Sequence, residues 1–112
     1  MADRGAVFRL RRRVGFGAER AGERVVVVQA TPLNSALPTT LVVPLDVALD
    51  MYEGLPNVRV SAAEAGGDAE HVALPTQLRA LAVDRLAPGA VGRLGSRTLQ
   101  ALDDALRVVL DL

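Results

Sequence analysis

Any chemistry in this chain has to come from oxygen and nitrogen groups, because it contains no cysteine. Disulfides, thiolate nucleophiles and cysteine-bound zinc are thereby excluded. His71 is the single histidine, and imidazole is the side chain that ordinarily exchanges protons near neutrality. A lone histidine beside an acidic loop is more often simply solvated, and no second ligand stands at a metal-binding spacing from it. All thirteen basic residues are arginine. Genomic base composition explains that bias first, although a planar guanidinium also grips phosphate through two hydrogen bonds at once. Arg9, Arg11 and Arg13 alternate along one segment, with Arg12 and Arg20 nearby. Such a row is either a solvated, edge-protecting strand face or a track for a polyanionic backbone or an acidic peptide tail. Phe16, in the glycine-rich stretch that follows, either packs inward or stacks on a base.

These side chains need a scaffold, and the composition bounds it. At 112 residues the chain is the size of one domain, taken here as residues 1–112. Half of the residues are hydrophobic but only 3% are aromatic, so the core has to be built from Val, Leu and Ala. Thirteen acidic residues balance the thirteen basic ones, which removes the global positive field of a nonspecific nucleic-acid binder. No signal-peptide-like or bilayer-length apolar run is present, so a soluble protein of the cytoplasm is expected, without a membrane partner.

Ala6 to Val14 sets Phe8 and Leu10 against Arg9, Arg11 and Arg13, the period of a half-buried strand. Gly15 to Gly22 carries three glycines and reads as a charged connection. Val25 to Val28 and Leu41 to Leu45 are short apolar runs of buried strands, the second ending at or lying on an edge because Pro44 lacks a ladder donor. Residues 57 to 61 alternate again, residues 63 to 70 read as a loop, and His71 to Leu74 as a short strand. Gln77 to Leu81 fits a strand or one helical turn. From Thr98 onward, Leu99, Leu102, Ala105, Leu106, Val109 and Leu110 fall at helical spacing, with Ser96 placed to cap. Short strands followed by one helix predict a mainly β domain, a small bent sheet or barrel with a C-terminal α-helix over one side.

The order of several segments adds a further reading. Arg4-Gly5-Ala6-Val7-Phe8 is followed by Gly17-Ala18-Glu19-Arg20-Ala21-Gly22-Glu23-Arg24-Val25-Val26-Val27-Val28-Gln29, then by Asn34 in the next loop and by Leu41-Val42-Val43-Pro44-Leu45. Thr76-Gln77-Leu78-Arg79-Ala80-Leu81, Arg85-Leu86, Gly92-Arg93-Leu94 and Leu110-Asp111-Leu112 complete the series. In order and spacing these pieces resemble the MazF/PemK family of toxin–antitoxin toxins over nearly the whole chain. The resemblance implies an SH3-like barrel, a homodimer, a cognate antitoxin as partner, and metal-independent endoribonuclease activity on single-stranded RNA without a cofactor.

Such cleavage needs a base for the 2′-hydroxyl, a cation for the phosphorane and an acid for the leaving 5′-oxygen. The resemblance places the catalytic arginine at Arg24. The family's threonine or serine is replaced by Asp46, followed by Val47; Asp46 is either a general base or a turn residue. An arginine and an acid found in some members are here Leu74 and Thr76. His71 is a possible third catalytic group. Arg11, Arg13, Phe16, Glu19, Arg20, Gln77 and Arg79 are the expected RNA-binding residues. A toxin fold kept for binding after loss of catalysis is the main alternative. A gyrase inhibitor ranks below it, because the C-terminal tryptophan of such members has no counterpart in a chain without Trp.

Overall fold

The structure, a computed structural model, describes residues 2–11, 23–47, 55–67 and 69–112. Among them, seven strands form one sheet: β1 (Ala6–Arg9), β2 (Arg24–Val27), β3 (Thr39–Asp46), β4 (Val58–Val60), β5 (His71–Ala73), β6 (Arg79–Ala82) and β7 (Gly92–Arg93). The strand order is β4-β5-β3-β2-β1-β7, every pair antiparallel, with β6 also on β3. Three helices accompany it: α1 (Thr31–Ala36), α2 (Ala62–Ala65) and α3 (Ser96–Leu110). None of the described helices is long and apolar enough to cross a membrane.

The sheet curls back on itself. Just past β6, Leu86 bridges Leu10 at the end of β1, while Arg11 N–H donates to the Arg85 carbonyl and Ala87 N–H to that of Arg9. β6, β3, β2 and β1 thereby close into the small barrel that the sequence pattern predicts. Closure creates two apolar layers. Val7, Val26, Val43, Leu45, Val58, Val60 and Ala73 face α3, whose Leu102 is fully buried among them. Phe8, Leu10, Val25, Val27, Val42, Leu81 and Leu86 fill the other face. A strand buried on both faces has no polar side to alternate with, which is why residues 25–28 read as unbroken valine.

Four expectations change. Pro44 is neither on an edge nor at a strand end; β3, the most extensively paired strand, continues to Asp46. The Pro44 carbonyl accepts from Leu74 N–H at 3.0 Å. In extended backbone the nitrogen of a residue faces the same way as its carbonyl, so the missing donor falls where the partner changes from β6, paired through Val42, to β5, paired from Leu45. The loop expected at 63–70 begins instead with α2, because Ser61 and Glu64 form a capping box. Gly95, not Ser96, is the N-cap of α3, and Ser96 is its first helical residue. Asn34 lies on α1 rather than in a loop; Pro32 suits that helix start, where its missing N–H needs no partner. Gln77 to Leu81 divides between both readings, a 3-10 turn at Pro75–Gln77 followed by β6.

Long-range polar contacts fix the frame. Arg4 donates Nε to the Val28 carbonyl at 2.9 Å and pairs through both terminal nitrogens with the Asp103 carboxylate on α3. Buried Asn34 donates to the carbonyls of Ala2 (2.6 Å) and Gln29 (3.2 Å) and accepts from Gln29 Nε2 (3.0 Å) and Thr40 Oγ1 (2.6 Å), so both halves of its amide are engaged.

A candidate active site at the entry of the second strand

Arg24 opens β2, opposite Arg9 of β1, on the sheet face that carries Val26 and Val43. Strand pairing puts His71, the first residue of β5, on that same face, and the two side chains meet: Arg24 Nη1 lies 3.3 Å from His71 Nε2. The imidazole is almost fully buried, at 3% exposure, and its Nδ1 lies 2.7 Å from the Ala69 carbonyl. A carbonyl can only accept and a guanidinium can only donate, so the bonding assigns the proton to Nδ1 and leaves the Nε2 lone pair for Arg24.

Backbone closes in from another side. Gly66 ends α2 at φ +122°, and a side chain there would begin 3.4 Å from Arg24 Nε and 3.5 Å from Nη2. Gly92 of β7 passes still closer to α2, since a Cβ on it would stand 2.0 Å from the Glu64 carbonyl oxygen. The Glu64 carboxylate ties this corner together by accepting from Ser61 N–H at 3.0 Å and from Gly95 N–H at 2.7 Å. Partial burial raises its pKa, but the hydrogen bonds from Gly95 and Ser61, with Thr98, together bring it below the ordinary 4.5. Gly66, Gly92 and Glu64 were not singled out from sequence as site residues. The Ser61-Ala62-Ala63-Glu64 spacing is the one signal that could have placed them.

The remaining expected residues fall elsewhere. Asp46 pairs with Val72, and strand alternation puts it on the opposite face from Leu45, Ala73 and His71. On that second face Arg79 Nη2 pairs with Glu23 Oε1 at 3.3 Å, both side chains mostly buried. Gln77 is exposed on the 3-10 turn. Arg11 is exposed at the barrel seam, its Nε donating to the Leu86 carbonyl at 3.3 Å. Arg13, Phe16, Glu19 and Arg20 lie outside the described residues. Among the described residues, no group of three His, Cys, Asp or Glu side chains is placed to hold a metal ion.

A mainly β barrel with a C-terminal helix and an arginine at the mouth of its second strand defines a recognisable class. The chain belongs to the family described as PemK-like, MazF-like toxins of type II toxin–antitoxin systems, whose model matches residues 3–110. Among solved structures it is similar to the Mycobacterium tuberculosis toxin MazF-mt6, with TM-score 0.78 and 18% identity over 96% of this chain and 97% of that one. It is also similar to MazF from Deinococcus radiodurans, with TM-score 0.73 and 18% identity over 98% and 96% of the two chains. A third is an endoribonuclease in complex with its cognate antitoxin from a mycobacterial species, with TM-score 0.73 and 19% identity over 98% and 93%. At these identities the structural likenesses establish the fold. Comparison with curated proteins gives no match.

Proposed function

We propose that residues 1–112 act as one toxin domain that cuts single-stranded RNA in the cytoplasm without a metal or other cofactor, and that a cognate antitoxin neutralises it. The observation that carries this reading is Arg24, held at the mouth of the barrel against His71 in a chain of the PemK-like, MazF-like family. In the reaction the 2′-oxygen attacks the adjacent phosphorus, the P–O5′ bond breaks, and a 2′,3′-cyclic phosphate and a free 5′-hydroxyl result. The proton leaving the 2′-oxygen and the proton reaching the 5′-oxygen balance. Arg24 supplies the positive charge for the phosphorane; a guanidinium forks onto two of its oxygens at once. Asp46, on the neighbouring strand but the opposite face, contributes little to proton transfer at the phosphate that Arg24 holds.

Arg11, at the barrel seam, extends the positive surface for the RNA backbone, with Gln77 and Arg79 as further contacts. A homodimer completes the reading. Its support is apolar surface left open on α1 and the adjoining β3, where Leu33, Leu37 and Leu41 are each more than a third exposed. The test is incubation of purified protein with defined single-stranded RNAs in excess chelator, beside Arg24→Ala. Cutting by the wild type that Arg24→Ala removes supports the proposal. Equal cutting by both, or none by the wild type, overturns it, and a silent wild type that still captures an acidic antitoxin peptide is a toxin fold retained for binding.

A further inference from the structure

We infer that the groove between β4 and α3 receives an extended acidic peptide, which adds to the sheet as a further strand on the outer edge of β4; the inference does not depend on the nuclease reading. The groove has a volume of about 680 Å³ and is lined on one side by Leu55 to Arg59 and on the other by the α3 row Arg97, Ala101, Ala105 and Val108. Ala101 and Ala105 leave depth that larger side chains would fill, and Leu55 and Val108 stand more than half exposed.

Strand order leaves β4 at the end of the sheet, with no strand on its outer side among the described residues. Backbone directions along β5 show which groups face that edge. Leu74 N–H points to β3, where it meets the Pro44 carbonyl. In extended backbone the direction alternates from residue to residue, so Val72 also faces β3, while His71 and Ala73 face β4 and bond to Val60 and Val58. Arg59, between those two, therefore turns its N–H and carbonyl outward. An extended peptide alongside completes both bonds, and every second side chain falls on the face that Val58 and Val60 present to α3, in the groove.

Charge selects the peptide. Asp104, the carboxylate of this lining, already accepts from Gln100 Nε2 at 3.0 Å and from Arg107 Nη1 at 2.9 Å. Arg97 is exposed towards the other end of the row and has no partner among the described residues. Arg59 pairs with Glu70 at 3.2 Å, but its side chain is 79% exposed, and such a pair is screened by water and open to exchange. Positive charge is thus left beside an apolar floor, which suits apolar residues at alternate positions with a carboxylate in reach of Arg97. A second copy of the chain fits poorly, because two β4 edges paired about Arg59 set like charges opposite each other.

The probe is a synthetic peptide of about nine residues, with valine at alternate positions and glutamates between, titrated into nitrogen-15-labelled protein beside the same peptide carrying lysine for glutamate. The glutamate peptide is expected to shift the Arg59, Ala101 and Ala105 amide signals and to bind at least about tenfold tighter than the lysine peptide, a preference that Arg97→Glu should largely remove. Arg59→Pro deletes the outward N–H without removing a bond from the sheet, so it should melt near the wild type yet bind about tenfold or more weakly; Arg59→Ala, which keeps the N–H, should lose less. N-methylation of the peptide where it faces β4 serves the same purpose if Arg59→Pro does not fold. Ala101→Phe, filling the groove, should abolish binding.

No shift at these amides up to about 1 mM peptide, equal binding of the two peptides, or binding indifferent to Arg59→Pro and to N-methylation overturns the inference. A single-stranded oligonucleotide without 2′-hydroxyls that moves the same signals more strongly at equal concentration overturns it in favour of nucleic acid. Arg59 signals that move on dilution of the protein alone overturn it in favour of a second copy.

Discussion

Arg24 and Asp46 lie on adjacent strands but on opposite faces of the sheet. The register that sets Val25 against Pro44 and Asp46 against Val72 leaves Arg24 with His71 and sends Asp46 to the side of Val72. A phosphate bound by the guanidinium is therefore not held by both. Arg24→Ala is expected to lower RNA cleavage by at least about 100-fold, the scale on which a single oxyanion-stabilising donor is lost. Asp46→Asn is expected to change it by less than about tenfold. Single-turnover rates of the two variants check this, and a larger loss in Asp46→Asn would make Asp46 the principal proton carrier despite the register.

The corner around Arg24 depends on one carboxylate. Glu64 accepts from Ser61 N–H and from Gly95 N–H, the latter 31 residues further along the chain, and its pKa is held below the ordinary value of 4.5. A pKa lowered by folding means that the unfolded chain binds the proton more readily. The stabilisation is therefore complete above the ordinary carboxylate range and is lost as pH falls through it. Glu64→Gln should be less stable than the wild type by about 1 kcal/mol at pH 7, with the difference shrinking towards pH 3. Urea unfolding of both proteins at the two pH values measures this, and a difference that grows on acidification would reverse the sign.

Gly92 is a site of close approach rather than of unusual backbone. A methyl group there would overlap the Glu64 carbonyl at 2.0 Å, an atom that belongs to backbone and cannot swing aside. Gly92→Ala should therefore displace α2 or β7 and destabilise by about 3 kcal/mol or more, on the scale of an overpacked core. Gly89→Ala makes the comparison: a Cβ there meets nothing within 4 Å, although its φ of +80° carries some strain. Denaturation midpoints should fall well below wild type for Gly92→Ala and only slightly for Gly89→Ala.

Asn34 is the polar keystone on the far side of the barrel. Removing its amide in Asn34→Ala strands the buried Thr40 Oγ1 and Ala2 carbonyl and takes a donor from the half-buried Gln29 carbonyl. The expected loss is about 2–4 kcal/mol, more than for an exposed asparagine, and Asn34→Asp should recover only the acceptor half. Chemical denaturation of the three proteins checks the order.

Local patterns were enough for much of this protein. The apolar runs at 25–28 and 41–43, the alternation at Val58-Arg59-Val60 and the spacing of Leu99, Leu102, Ala105 and Leu106 each predict the right element, because strand and helix periods are set by neighbouring residues alone. The ordered glycine, arginine and proline positions carried the resemblance to the toxin family, whereas the capping signal of Ser61 and Glu64 went unread and residues 63–70 were expected as a loop. What sequence leaves open is everything that depends on which segments meet. Pro44 is tolerated inside the sheet only because two partner strands change over beside it. The meeting of Arg24 with His71 joins residues 47 positions apart, and the face on which Asp46 lies follows from a register that a shift of one residue would invert. Periodicity along the chain fixes which residues share a face of their own strand; only the closure of the sheet decides which of those faces are brought together, and so which side chains form a site.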